Sequence, residues 1–227
     1  MPLWGQLSLQ DSCTPLSYFI SNIHDTLMVV CLGVFVLVTY LICNIIMQTK
    51  WDSFLTEAEI LETFWVLIPT MLLFALVAPS LHCLYLMDEV YSPWMSVKVM
   101  GHQWYWSYEY GDWSSIEFDS YMLTPDGADA LTSRLLEVDN PLVIPYKTEI
   151  RMIISSSDVL HAWSLPCAGV KMDAVPGRLN HSMIYCEKIG LMYGQCSEMC
   201  GTLHSFMPIC VQTMLKPHFI KWVEKAL

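Results

Sequence analysis

Two long stretches without a Lys, Arg, Asp or Glu constrain this chain most: Thr26 to Met47, 22 residues, and Phe64 to Met87, 24 residues that hold one histidine, His82. At about 1.5 Å rise per residue, each is long enough to cross the ~30 Å hydrocarbon layer of a bilayer as a helix. A large soluble core could also bury such helices, but only 16 residues connect the two runs, which leaves nothing large there to cover them. Only 15% of the 227 residues are charged, against roughly 25% in an ordinary soluble domain. The first run lies too far inside the chain, and lacks the basic lead, to read as a cleaved signal peptide. Met1 leads directly into mature-looking sequence with no Arg-rich transit segment, so no presequence is expected. Pro69 and Pro79 in the second run suit a helix packed against other protein, where neighbours re-satisfy the freed carbonyls. The connector carries Lys50 against Asp52, Glu57, Glu59 and Glu62, so charge does not decide the orientation of the hairpin. The expected division is an N-terminal segment, 1–25, a transmembrane hairpin, 26–87, and one extramembrane domain, 88–227.

That last segment reads as β. Met95–Met100, Trp104–Tyr110, Ile116–Met122, Leu142–Tyr146, Glu149–Ser155, Val159–Leu165, Ser182–Glu187, Leu191–Cys196 and Met207–Leu215 give nine strand candidates. Turn signals such as Pro125-Asp126-Gly127, Asp139-Asn140-Pro141 and Val175-Pro176-Gly177 separate them. Many short strands with such punctuation imply a sandwich or barrel. In the aromatic stretch, Trp104, Trp106 and Tyr108 are expected on one strand face and Tyr105 and Tyr110 on the other. After Pro217, the residues Phe219, Ile220, Val223 and Leu227 fit one short amphipathic helix.

The nine cysteines are too few for a disulfide scaffold, and their odd count cannot all pair. Cys31, Cys43 and Cys83 fall in the apolar runs as small packing residues, and Cys13, Cys167, Cys186 and Cys210 are scattered. Cys196 and Cys200 differ, because they stand in Cys196-Ser-Glu-Met-Cys200-Gly-Thr-Leu-His204-Ser-Phe-Met207, with His161 on a strand 35 residues upstream. Two thiols, two imidazoles and a thioether form a soft donor set, and soft donors favour copper. A Cys196–Cys200 disulfide and a tetrahedral Cys2His2 zinc use some of these residues. A trigonal His2Cys copper leaves one cysteine over. Two coppers bridged by both thiolates use every donor, and residue types alone leave these arrangements open.

The chain resembles subunit II of cytochrome c oxidase in its two spans and in Gly101-His-Gln-Trp-Tyr-Trp-Ser-Tyr-Glu-Tyr110, Arg134-Leu-Leu-Glu-Val-Asp-Asn140, Pro176-Gly-Arg-Leu-Asn180 and Tyr193-Gly-Gln-Cys-Ser-Glu-Met-Cys-Gly201. The resemblance implies a two-helix membrane hairpin followed by a cupredoxin-like β-barrel or sandwich. It implies that this domain bears the binuclear copper centre CuA and sits beside the catalytic subunit I. It places the copper ligands at His161, Cys196, Cys200, His204 and Met207 with the carbonyl of Glu198, and a magnesium ion shared with subunit I on the Glu198 carboxylate. It makes Trp104 the electron-accepting tryptophan, Glu109, Asp139, Asp158 and Glu198 docking acids for cytochrome c, and Glu62 a residue near the mouth of a proton pathway. Bare residue types would make Glu198 an exposed acid, Trp104 packing, and Glu62 a favourable charge at a helix N-terminus. His24, His82 and His181 read as packing or interface residues.

Between positions 109 and 139, Glu109, Asp112, Glu117, Asp119, Asp126, Asp129, Glu137 and Asp139 face only Arg134, a net of −7. Such a surface steers a basic partner. Ser114 and Ser115 stand where relatives often carry acids, with Asp112 and Glu117 near enough to compensate. By the resemblance the chain is an electron relay from reduced cytochrome c to haem in subunit I, where oxygen becomes water and protons are pumped. The expected partners are subunit I, the other oxidase subunits, cytochrome c and membrane lipid, with no nucleic acid. The expected place is the mitochondrial inner membrane, with the CuA domain on the intermembrane-space side. A membrane-tethered domain that binds metal for structure or storage, without redox turnover, is the alternative. A quinol oxidase subunit II shares the architecture but lacks the ligands.

Overall fold

A computed structural model of the chain describes residues 5–50, 54, 57–88, 92–113, 115–123 and 133–227. The turn at Pro125-Asp126-Gly127, the acids Asp52, Asp126 and Asp129, and Ser114 lie outside the described residues. The chain forms two compact units, one of Phe19–Leu86 and one of Met1–Tyr18 with Met87–Leu227.

Two helices, α1 (Pro15–Met47) and α2 (Glu59–Asp88), account for the first unit, and both are longer than the apolar runs that announced them. The extra turns of α1 come from local chemistry. Thr14 precedes Pro15, and its hydroxyl accepts a hydrogen bond from the Ser17 N–H at 3.0 Å, a side-chain N-cap followed by proline in the first turn. At α2, Glu59 and Glu62 occupy the first turn, where negative charge complements the helix dipole. Pro69 and Pro79 lie inside α2 without ending it. The hydroxyls of Thr70 and Ser80, one residue after each proline, donate back to the carbonyls of Val66 and Leu76 at 2.7 and 2.8 Å. None of the most apolar window of either helix is buried, and an all-round apolar helix needs an apolar medium. Both helices are long and apolar enough to cross a membrane. Cys31 and Cys43 are exposed on α1 and so are not packing residues within this chain, while Cys83 is buried and His82 meets the Phe19 ring edge-on at 5.2 Å.

The second unit is a β-sandwich with ten strands among the described residues: β1 (Met95–His102), β2 (Tyr105–Tyr110), β3 (Glu117–Ser120), β4 (Leu142–Pro145), β5 (Glu149–Ser156), β6 (His161–Leu165), β7 (Val170–Ala174), β8 (Asn180–Tyr185), β9 (Gly190–Gln195) and β10 (Pro208–Met214). They order as β3-β2-β1-β5-β8, β4-β10-β9 and a β6-β7 pair. The pairs β1/β5 and β4/β10 are parallel; the others are antiparallel. The period-2 alternation seen in the sequence is the burial pattern. Val97 and Val99 of β1 and Ile150, Met152 and Ile154 of β5 face the core with Trp106, Tyr108 and Tyr110 of β2. Tyr110 therefore shares the face of Trp106 and Tyr108, contrary to the expectation above, because residues two apart on a strand point the same way. Its hydroxyl donates to the Val143 carbonyl at 2.6 Å and so ties β2 to β4.

A tenth strand, β7, was not expected. Only Val170 and Ala174 of its five residues are buried, too weak a pattern to stand out. A final helix, α3 (Lys216–Ala226), holds Pro217 in its first turn, as the proline suggested. It buries Phe219 and Val223, four apart, while Ile220 and Leu227 stay exposed.

One glycine holds two sheets together. A Cβ on Gly194 of β9 would overlap the Ser164 carbonyl oxygen of β6, so the strands pass each other backbone to backbone. Overpacking a core typically costs ~1–3 kcal/mol, and here the obstacle is main chain that cannot swing aside. Gly194→Ala should lower the thermal midpoint of the β-unit by ten degrees or more, or abolish soluble expression; an unchanged melting curve contradicts this packing.

Candidate metal centre

The loop that joins β9 to β10, residues 196–207, folds over the start of β6. The ligand atoms of His161, Cys196 and Cys200 come within 4.8 Å of one another, and all three residues are buried. Cys196 Sγ lies 3.9 Å from His161 Nδ1 and 3.4 Å from the Glu198 carbonyl oxygen. Cys200 Sγ lies 3.4 Å from His204 Nδ1 and 3.4 Å from Met207 Sδ. All six residues singled out in the sequence thus meet, as two groups of donors each centred on one thiol.

Residues outside the cluster hold this loop in place. Ser197 N–H donates to the Ala162 carbonyl at 3.0 Å, Gln103 Nε2 to the Cys200 carbonyl at 2.8 Å, and Trp106 Nε1 to the Met207 carbonyl at 3.3 Å. Gly101 is where β1 passes the His161 ring. A Cβ there would stand 2.9 Å from Cδ2 and 3.0 Å from Cγ of that ring, so only glycine leaves His161 where it is.

Asp158 has a part that sequence reasoning missed. Its Oδ1 accepts from His161 Nε2 at 2.8 Å and from the Val159 N–H at 2.6 Å, and its Oδ2 accepts from the Gln103 N–H at 2.7 Å. With the proton of His161 held on Nε2, the lone pair of Nδ1 points toward Cys196, the outer-shell arrangement common to metal-binding histidines. The spacing Asp158-Val-Leu-His161 is the available signal, and the resemblance names the same carboxylate only as a docking acid. Burial alone would raise the acid, yet His161 and the two backbone N–H groups hold Asp158 below its usual value. Burial would likewise lower His161, and Cys196 and Asp158 outweigh it and raise it. At Cys196 burial is overcome by the His161 hydrogen bond and by backbone contacts, which bring the thiol down to about 7. Burial and the neighbouring Cys196 push Cys200 up to about 12.

The remaining predicted residues are placed as follows. Trp104 lies in the β1–β2 turn, not on the strand, and its indole packs over Gly201, beside Cys200. Its Nε1 is buried without a hydrogen-bond partner among the described residues. Glu198 is exposed. Glu109 pairs with Lys98 Nζ at 2.6 Å, and Asp139 Oδ1 accepts from the Tyr121 and Asn140 N–H groups at 2.8 and 2.7 Å. Asp112 caps β1 by accepting from the Ser96 N–H at 2.9 Å. Glu62 is exposed in the first turn of α2, outside the β-unit.

Two thiols, two imidazole Nδ1 atoms and a thioether, held by main chain and largely dry, suit a soft metal and are consistent with copper. Fold and site together define a cupredoxin-like domain with a Cys/His metal site, carried by a chain with two candidate membrane helices. Residues 95–214 match the family described as cytochrome c oxidase subunit II, periplasmic domain, and residues 2–83 match its transmembrane domain. Cytochrome c oxidase subunit 2 of Periplaneta americana is 42% identical over 225 residues, 99% of each chain. That of Drosophila simulans is 42% identical over 224 residues, 99% of this chain and 98% of its own. In the crystal structure of the periplasmic domain of subunit II of cytochrome oxidase (CoxB) of Bradyrhizobium japonicum, 96% of that chain aligns with 61% of this one at 46% identity and a TM-score of 0.56. The chain belongs to the cytochrome c oxidase subunit II family.

Proposed function

We propose that this subunit takes electrons from reduced cytochrome c and passes them to haem in subunit I, through a binuclear copper centre, CuA, held by His161, Cys196, Cys200, His204, Met207 and the Glu198 carbonyl. The observation that carries this reading is the pair of donor groups around Cys196 and Cys200, each thiol with its own histidine Nδ1. Two coppers held by these residues would supply a one-electron couple. The chain's own residues keep the donors still. Asp158 sets the His161 tautomer, Gln103 anchors the Cys200 carbonyl, and Trp106 and Met207 close the floor against water. A preset donor cage lowers the rearrangement that accompanies each change of charge. The oxygen chemistry and the proton pumping belong to subunit I. Glu198, with its carbonyl turned to Cys196 and its side chain exposed, offers magnesium a hard carboxylate ligand at the boundary with subunit I. Glu62 marks the mouth of a proton pathway into subunit I. The chain is placed in the mitochondrial inner membrane, with the copper domain on the intermembrane-space side.

Trp104 joins the surface to the centre by lying on Gly201 next to Cys200. In the assembled oxidase, Trp104→Leu should slow reduction of the copper centre by cytochrome c at least tenfold in stopped-flow while the copper spectrum stays unchanged. An unaltered rate removes Trp104 from the path.

Docking rests on Glu109, Asp139, Asp158 and Glu198, acting together with the acids around them. Exposed ion pairs contribute only ~0–1 kcal/mol each, and Lys98 already offsets Glu109. Asp158 is left out of the test, since its loss would also disturb His161. Glu109→Gln with Asp139→Asn should lower the second-order rate with cytochrome c several-fold at low salt. The gap should close above ~0.1 M, where the Debye length falls below ~10 Å. Equal rates for the double variant and wild type at low salt place the donor elsewhere.

A further inference from the structure

Cys13, Cys167 and Cys186, far apart in sequence, meet in the β-unit, all three buried. The Cys13 N–H donates to the Cys167 carbonyl at 2.8 Å, and the Cys13 carbonyl accepts from the Glu187 N–H at 2.7 Å. The segment before α1 is thereby laid as an extra strand-like rung against the β-unit, and Thr14 Oγ1 adds a bond to the Ala168 carbonyl at 2.8 Å. The Cys13 thiol is close enough to those of Cys167 and Cys186 for both to influence its ionisation. This cluster is separate from the metal loop. It lies by Gly190 and Thr213, which pair at the far end of β9 and β10, about 17 Å from the Gln195–Pro208 end at ~3.3 Å per residue. A cavity of about 170 Å³ opens onto it, lined among others by Asp11, Cys13, Cys167, Lys188, Met192 and Thr213. Cys186 is fully buried and does not line that cavity.

We propose that Cys13 and Cys167 form a disulfide that staples the segment before α1 to the β-sandwich, with Cys186 left as a buried free thiol. The inference rests on the reading above only in placing the β-unit in a compartment that permits disulfides. A direct backbone hydrogen bond joins Cys13 to Cys167, as between neighbouring strands, whose Cα spacing of ~4.5–5.5 Å falls inside the ~4.4–6.8 Å that a disulfide spans. Of the three cysteines, only Cys13 and Cys167 line the cavity, while Cys186 is sealed off from it. The oxidant is a disulfide donor, either oxidised glutathione or a protein disulfide. One cysteine attacks a sulfur of the donor as thiolate, forming a mixed disulfide and releasing one donor thiol. The other cysteine then displaces the second donor thiol to close the Cys13–Cys167 bond. Both protons and both electrons end on the donor, whose disulfide is reduced to two thiols. The Cys167 contact lowers the Cys13 thiol, but the Cys186 contact and burial outweigh it and push it up to about 12. The packed thiols are thus poorly reactive, and the bond closes before the segment is fully docked.

The test is made on the oxidase isolated with iodoacetamide present from cell lysis, then denatured and digested without reduction. Mass spectrometry should show the Cys13 and Cys167 peptides joined, two hydrogens lighter than their sum, and Cys186 alkylated after denaturation. Alkylation of both Cys13 and Cys167 before any reduction overturns the proposal, and so does a Cys13–Cys186 link. With Cys167→Ser, Cys13 should become fully alkylated; a persistent Cys13 cross-link to Cys186 contradicts the assigned pair. Copper content of the same wild-type sample keeps the two readings apart. Full copper without the link sinks the staple alone, and the link without copper sinks the copper reading alone.

Discussion

Cys200→Ser is expected to cut metal uptake by the β-unit at least a hundredfold and to abolish electron delivery from cytochrome c, while the domain stays folded. Cys200 Sγ is the atom that both His204 Nδ1 and Met207 Sδ approach, each at 3.4 Å, so its loss disperses three donors at once. The exchange of sulfur for oxygen changes little volume and leaves the backbone bond from Gln103 to the Cys200 carbonyl untouched. A hydroxyl is a hard, protonated donor at neutral pH and does not replace a thiolate toward a soft ion. Metal analysis, far-UV circular dichroism and reduction kinetics on one preparation decide it. A folded Cys200→Ser protein with full metal content and normal reduction would place the centre elsewhere.

Gly101→Ala is expected to have a comparable effect from outside the donor set. The added methyl group would meet His161 Cδ2 at 2.9 Å, and His161 cannot retreat. Its Nε2 is held by Asp158 at 2.8 Å and its ring lies edge-on to Trp106 at a centroid distance of 5.8 Å. Displacing a metal-binding histidine through its supports typically costs ~10–100-fold in affinity. Competition titration with a copper chelator should show a loss in that range together with a shifted visible spectrum. Wild-type affinity and spectrum in Gly101→Ala would mean that His161 does not face the metal.

The two apolar runs, the β character of the last 140 residues and the Cys196–Met207 cluster were all legible in the sequence, because each depends on residues close together in the chain. What escaped is non-local. Asp158 reads as one more acid until the fold brings His161, Val159 and Gln103 to its two oxygens. Gly101 stands in a motif, but its reason, a passing imidazole, belongs to another strand. The pairing of Cys13 with Cys167 requires the segment before α1 to return to the β-unit, and no spacing rule reaches across that separation. Strand β7 was missed because its partner β6 supplies most of the burial, leaving a sequence with two inward residues in five. Trp104 was assigned to a strand, although it occupies the turn where β1 hands over to β2. That turn is what lets the indole reach over Gly201.

The most direct test of the copper reading uses residues 91–227 expressed alone. Reconstituted with copper and desalted, the fragment should hold two coppers per chain. Its EPR spectrum should show the multiline hyperfine pattern of one unpaired electron shared between two copper nuclei, because two thiolates bridging two ions delocalise it. One zinc or one copper per chain, or a spectrum of isolated copper(II), would contradict the account.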